Sequence, residues 1–499
     1  MNSKNEIFIG RKKELSLLDS LYNSNRFEML IMHGRRRVGK SYLLGHFAKL
    51  HQKNTIFFTG DKSSEKTNVQ AFCEEMKRVL NTSDFVDSFE RWSDVYSFFK
   101  DIDLKERLVI IIDEFTYLYN SNPAYDSVLQ NAIDRILKNK NIFLILCGSE
   151  VSVIEEIIDN SSKPLYGRKT ADLKLLPFDY KEAREFFPNY SNEDFIKAYS
   201  ILGGIPLYLK LFDDNLSVKE NIIKNCLSPT GVLFNEIETL LRMELKETYF
   251  YKNIMLAINA GASTFNTIKD KVDDDSAKIA KYMNVLCNLG FIKKEVPCGE
   301  KPASRNTLYS ICDNYFAFYF MFIFKKQNML NGLISPDLYY EREITDERLN
   351  SFIGFRFEAI CESYLKDLFY NGKMPFFAEF LGRWWGNNPV LKKQKEIDGG
   401  FTISENPPNG RVKVLSKACL DRTYLLALDD ENALFCECKY TNEKFNEKEL
   451  KDLQDSALCI SRSKKSFMIF SKNGITSGVK EKIKDDASYK VVTLDDLIN

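Results

Sequence analysis

The sequence has no net charge to offer. Lys plus Arg and Asp plus Glu each total 70. That excludes a globally basic nucleic-acid binder, so any such surface must be local. Paired CxxC spacing is also missing. Eleven cysteines are scattered along the chain, and no secretory leader is expected. Together these point to reduced thiols in a cytoplasmic protein and exclude a disulfide scaffold or zinc ribbon. Within Cys436-Glu437-Cys438, neighbours on a strand face opposite ways, which favours buried thiols over a ligand cluster. No apolar run reaches membrane length. The longest, "NYFAFYFMFIF" at 314–324, precedes Lys325 and Lys326 and is about half a span. It reads as a buried helix between domains, and no membrane partner is expected. What remains is 499 residues with 44% hydrophobic and 13% aromatic content. These suffice for two to four packed domains.

The stretch "FEMLIMHGRRRVGKSYLLGHFAKL" is an apolar strand, a glycine-bounded loop and a helical pattern. The loop reads Gly34-x4-Gly39-Lys40-Ser41. Glycines let successive N–H groups face a phosphate, Lys40 reaches the β/γ-phosphates, and the Ser41 hydroxyl ligates Mg²⁺. The helix that follows points its positive end at the anion. "RLVIIIDEFTYL" is a buried strand ending in Asp113, assigned to the Mg²⁺ shell, and Glu114, assigned to polarising water. "NIFLILCGSE" ends in Ser149, placed to sense the γ-phosphate. Arg168, in the turn of "LYGRKTADLKLLPF", is a candidate finger for a neighbouring subunit's nucleotide, which implies homo-oligomers through nucleotide sites. Arg35 and Arg36 receive no role. Strands alternating with helices predict a parallel sheet with helices on both faces. ATP and Mg²⁺ are the expected cofactors.

"FIGRKKELSLLDSL", "HGRRRVGKSYLL", "LVIIIDEF", "LILCGSE", "LYGRKTADLKLLPF" and "GGIPLYL" occur in this order. The set resembles the archaeal-type ATPase family of the AAA+/STAND superfamily over residues 5–215. The resemblance implies that Ile9, Gly10 and Arg11, with Glu14, lie near the adenine. It also implies that Gly204 and Pro206, in Gly203-Gly204-x-Pro206, lie on the lid side of the nucleotide.

Residues 216–250 read as a helical connector. Three helical segments follow within 251–312, with Ser263-Thr264 and Asp273 to Asp275 supplying caps. Gly290 closes the last of them before a strand. This order resembles a winged helix-turn-helix. Its candidate recognition helix carries Lys278, Lys281, Tyr282 and Asn284. Three preceding aspartates oppose phosphate, so coupling to the lid and contact with DNA both stay open. Residues 313–345 are expected to be a helical linker.

Residues 346–499 begin with a helix carrying Glu358 and Glu362. "GRWWG" and Glu396-x-Asp398 follow, then a hairpin whose second strand ends in Glu437-x-Lys439. A helix and two strands complete the pattern. It resembles the PD-(D/E)xK nuclease fold and the domain that follows the ATPase in the same family. Phosphodiester cleavage needs Mg²⁺ on carboxylates. The resemblance implies Asp398, Glu437 and Glu358 as metal ligands, with Lys439 orienting water or stabilising charge. A loop-rich insertion after Asp398 leaves Asp421 as an alternative carboxylate. Trp384-Trp385 is read as a core anchor or a base-stacking surface.

The expected architecture is a multidomain α/β chain: P-loop NTPase, winged helix, and C-terminal α/β PD-(D/E)xK-like domain. The expected function is ATP hydrolysis fused to Mg²⁺-dependent cleavage of nucleic acid, DNA favoured, in genome defence or mobile-element biology. The alternative is a STAND-like ATP-dependent switch whose nuclease-like fold is a platform without chemistry.

Overall fold

The computed structural model describes residues 8–82, 84–301, 304, 306–385 and 424–498. They form two compact units. One runs to Phe178 and includes Ile205–Leu207; the other comprises Asp179–Gly204 and the chain from Tyr208 onward.

The first unit is built on β1 (Glu28–His33), β2 (Thr55–Thr59), β3 (Leu108–Asp113), β4 (Ile142–Gly148) and β5 (Ala171–Lys174). Their order is β2-β3-β4-β1-β5, and every pairing is parallel. Parallel neighbours need crossovers, and helices fill those between β1 and β4. Every residue of β1, β3 and β4 is buried, as in strands covered on both faces. This is why their sequences are continuous apolar runs.

In the second unit, helix Asn192–Leu202 starts at Ser191, whose side chain accepts from Asp194 N–H. Its first turn meets the C-terminal elements: Asn192 donates to Asp495 at 2.7 Å and Glu193 pairs with Lys472 at 2.8 Å. Helices Thr248–Asn259, Phe265–Val272 and Ser276–Asn288 follow. Thr264 caps the second and Asp275 the third. Gly290, at φ 70°, then turns the chain into β6 (Ile292–Glu295), which pairs antiparallel with β7 (Leu308–Ile311). "YFAFYF", Tyr315 to Phe320, is fully buried in helix Asn314–Phe322.

The 25-residue helix Asp346–Tyr370 leads to the last sheet. Its strands are β8 (Phe380–Trp384), β9 (Tyr424–Leu428), β10 (Asn432–Lys439), β11 (Lys464–Ser471) and β12 (Tyr489–Val492), in the order β12-β11-β10-β9-β8. β8, β9 and β10 are antiparallel, whereas β11 and β12 run parallel to β10. The hairpin turn is where the Asp429–Asn432 run placed it. β8 went unrecognised in the sequence because its central Gly382 weakens the strand signal. Among the described residues no helix is long and apolar enough to cross a membrane.

Candidate functional site

β1 ends at His33, and the loop begins on Gly34 at φ 152°. A Cβ there would stand 2.4 Å from the Leu175 carbonyl oxygen, because Leu175 donates its N–H to His33 at 2.7 Å. Only glycine fits. Gly39, at φ 92°, precedes helix Lys40–Leu50 and offers no capping side chain. First-turn N–H groups thus remain available to an anion. Pro206 lies over this turn, its Cγ 3.6 Å from where a Gly39 Cβ would be.

Lys40 is 6% exposed and donates to the carbonyls of Gly34 at 2.7 Å and Arg35 at 3.1 Å. Burial pushes its ammonium below the usual value, against the pull of Cys147, Glu114 and Asp113. β4 lies between β1 and β3, so its end stands between the loop and the acidic pair. Asp113 is buried and accepts the Glu114 N–H at 3.0 Å. Glu114 sits at φ 52°, where the chain turns sharply out of β3. Ser149 donates to its two carboxylate oxygens at 3.1 and 3.0 Å. Arg36 approaches the same carboxylate at 3.9 Å and donates to the Tyr117 hydroxyl at 3.1 Å. These residues fit a nucleoside triphosphate with its cation. The loop N–H groups and Lys40 would hold phosphate, and Ser41 and Asp113 would hold Mg²⁺.

Gly10 (φ 65°) and Arg11 (φ 61°) turn the chain beside this loop. The Arg11 guanidinium donates to Val38 at 3.0 Å, Leu176 at 2.8 Å and Glu14 at 3.0 Å, and stacks 4.1 Å over the Phe178 ring. The Ile9-Gly10-Arg11 box thereby braces the phosphate loop. Gly204 is buried just after helix Asn192–Leu202, in the second unit. Arg168 is engaged within its own chain. It grips both oxygens of Asp134 at 3.2 and 2.8 Å and donates to the Pro164 carbonyl at 2.6 Å.

With this geometry in view, residues 8–212 match an ATPase domain predominantly from Archaea. Residues 319–402 match a group described as Archaea bacterial proteins of unknown function. The uncharacterized protein MJECL04 of Methanocaldococcus jannaschii is 31% identical over 379 residues, 76% of this chain and 82% of its own length. The chain belongs to this family of ATPases found predominantly in Archaea. The uncharacterized ATP-binding protein MJ0423 of the same organism is 44% identical over 41 residues, 8% of this chain and 70% of that protein. The Walker-type ATPase PABY2304 of Pyrococcus abyssi overlies the chain with a TM-score of 0.49 at 20% identity, covering 63% of this chain and 97% of that one.

Two of the ATPase's C-terminal candidates, Lys439 and Glu358, pair with neighbouring side chains. Lys439, 9% exposed, pairs with Glu449 at 2.7 Å and donates to the Lys444 carbonyl at 3.0 Å. Strand pleating puts Glu437 on that same face. Cys436 and Cys438 share the other face, where Cys438 meets Cys361 of the long helix; burial pushes both thiols up. Glu358 is one turn before Cys361 and pairs with Arg383 at 3.2 Å. Asp398 and its alternative Asp421 lie outside the described residues. Among the described residues, no three His, Cys, Asp or Glu side chains gather as a metal site.

Arg383 is the residue that sequence reading missed. It joins Glu358 on the long helix to Glu295 on β6 at 3.4 Å. The segment after β6 docks beside it: Cys298 N–H donates to the Arg383 carbonyl at 2.8 Å, and Cys298 Sγ to Leu426 at 3.3 Å. Trp385 is 5% exposed and donates to the Asn306 carbonyl at 3.1 Å, which makes it an anchor. Arg356, pushed down to about 10 by burial, donates to the Ile311 carbonyl at 2.7 Å. The partners lie 25 to 128 residues apart in sequence, and no local pattern announces them.

The candidate recognition helix is partly turned inward. Lys278 pairs with Asp274 at 2.9 Å and sits 3.3 Å over the Phe250 ring. Tyr282 stacks on Phe250 and donates to Glu247. Lys281 and Asn284 are exposed.

Proposed function

We propose that this ATPase couples hydrolysis at the P-loop to a nucleic-acid-directed C-terminal module of nuclease-like fold. The observation that carries the catalytic half is the convergence of Lys40, Asp113, Glu114 and Ser149 at the ends of three adjacent parallel strands. Mg²⁺ supplies charge neutralisation on the β/γ-phosphates when bound. Glu114, held by Ser149, orients and polarises the attacking water, and Lys40 offsets charge developing on the phosphates. Arg168 serves in trans only if it leaves Asp134.

The second half rests on the mixed sheet β12-β11-β10-β9-β8, crossed by a long acidic helix and ending one strand in Glu437-x-Lys439. Winged-helix coupling is supported by three consecutive helices, the second and third capped by Thr264 and Asp275, followed by an antiparallel pair. A transmission route is supported by Glu193–Lys472 and Asn192–Asp495, which tie the helix before Gly203-Gly204 to the C-terminal elements.

Two ion pairs favour a second reading, a STAND-like switch without cleavage. Lys439 is held by Glu449 and Glu358 by Arg383, so both side chains already have structural partners. A cleavage assay separates the readings. Wild type and Glu437→Ala are incubated with duplex and single-stranded DNA or RNA, Mg²⁺ or Mn²⁺, with and without ATP. Metal-dependent cutting lost in the variant supports the nuclease. No cutting by wild type on any substrate rejects it in favour of the switch.

A further inference from the structure

The expected nucleic-acid reader is compromised by its own contacts. Two of four candidate recognition side chains, Lys278 and Tyr282, are held by Asp274, Glu247 and Phe250. The β6–β7 segment, where a wing would reach a groove, is pinned to β8 and β9 through Cys298 and Trp385. With the chain neutral overall, a strand needs a local cationic surface elsewhere.

One cavity supplies it. A recess of about 690 Å³ opens between helix Glu236–Glu244, helix Thr248–Asn259 and the Phe324–Lys326 turn. That volume falls within the roughly 300–1,000 Å³ over which protein cavities take small ligands. Its wall carries three cations, Arg242, Lys252 and Lys325, against one carboxylate, Glu238. Lys252 is paired with Glu238, which also accepts from the Tyr319 hydroxyl at 3.4 Å. Arg242 and Lys325 are exposed and, among the described residues, form no ion pair. Asn235 and Asn328, also exposed, add amide donors and acceptors.

Resting on the nucleic-acid reading above, we infer that this recess binds a phosphate-bearing nucleotide unit of a single strand. Arg242 and Lys325 grip backbone phosphates. The asparagine amides meet the edge of an unpaired base. A base edge is open to such an approach when the strand is not in a duplex, and a concave site admits one where a duplex meets only the rim. Phosphate contacts supply affinity and amide contacts supply preference. A free nucleotide offers the same phosphate and base edge, so the test separates the two sources.

The experiment uses the full chain and fluorescence anisotropy with a labelled oligo-dT strand over a salt series. Both substituted cations are exposed and unpaired, so Arg242→Glu/Lys325→Glu is expected to fold; unchanged melting verifies it. We expect strand affinity to fall at least tenfold. The slope of log affinity against log salt should shrink by about 0.7 for each phosphate that is no longer gripped. Lys281→Glu should bind like wild type. The inference is overturned, with the nucleic-acid reading intact, if the double variant binds normally and Lys281→Glu does not. A second arm titrates labelled AMP into Lys40→Ala, which lacks the P-loop lysine. If wild type binds no strand but AMP binding is lost on adding the double substitution, the strand source is overturned and a free nucleotide is the ligand. If neither probe binds, both the recess and the nucleic-acid reading are rejected.

Discussion

Ser149 Oγ lies 3.1 and 3.0 Å from the two carboxylate oxygens of Glu114. The serine follows β4 and the glutamate follows β3, adjacent strands of one sheet. Two single-residue positions 35 apart are thus fixed to each other by a strand pairing. Glu114→Gln keeps the shape but loses the charge that polarises water. Turnover should fall by about 10²–10⁴-fold, the range for a positioned general base, while ATP still protects against melting. Ser149→Ala should cost less, on the order of tenfold, as expected for loss of one charge-assisted hydrogen bond. Phosphate release measures both.

Lys40→Ala removes the buried ammonium from the loop. Wild-type melting should rise with ATP, corresponding to about 2.7 kcal/mol at a hundredfold excess over Kd. The variant should show almost none of this rise. Scanning calorimetry with and without ATP and Mg²⁺ is the check.

Gly34→Ala introduces a Cβ at 2.4 Å from the Leu175 oxygen, at a backbone angle that L-residues rarely adopt. The loop must move or β5 must part from β1. Either way the variant should lose ATP affinity and a few kcal/mol of stability, on the scale of a strained backbone position. Gly45→Ala, in the interior of helix Lys40–Leu50 where a Cβ meets nothing within 4 Å, is the control and should keep ATP affinity and gain about 0.5–1 kcal/mol of stability.

Arg383 stands between Glu295 and Glu358. Arg383→Ala leaves two half-buried carboxylates facing each other and should cost about 3–5 kcal/mol in urea unfolding. Glu295 carries the pH dependence. Burial pushes its carboxyl up, but Lys293 and Arg383 outweigh burial and hold it below its ordinary value. Its contribution is therefore present above the unfolded pKa, about 4.3, and lost as pH falls through the lower folded value. Glu295→Gln should be less stable than wild type at neutral pH. It should also lose less stability on acidification below about pH 4, as followed by urea midpoints.

Much of the P-loop unit was legible. Gly34, Gly39, Lys40 and Ser41 fall within one short stretch across the loop and the first turn of helix Lys40–Leu50, and the apolar runs before Asp113 and Ser149 are buried strands because both their faces are covered. The β9–β10 hairpin was legible from Asp429-Asp430-Glu431-Asn432 between two apolar runs. β8 was not, since Gly382 interrupts it. Nor was the engagement of Arg168 by Asp134, since two surface charges 34 residues apart carry no mutual signal.

The sequence alone determined which local machinery exists: a phosphate loop, an acidic strand end, caps at Thr264 and Asp275, and a Glu-x-Lys strand. Each depends on residues within a few positions, where spacing sets geometry. Only the tertiary structure decided what that machinery meets. It set β4 between β1 and β3, so that Ser149 reaches Glu114. It turned Glu358 to Arg383 and Lys439 to Glu449, and it drew the segment after β6 onto β8. Those outcomes follow from strand order and long-range packing, which bring together residues that sequence distance keeps apart.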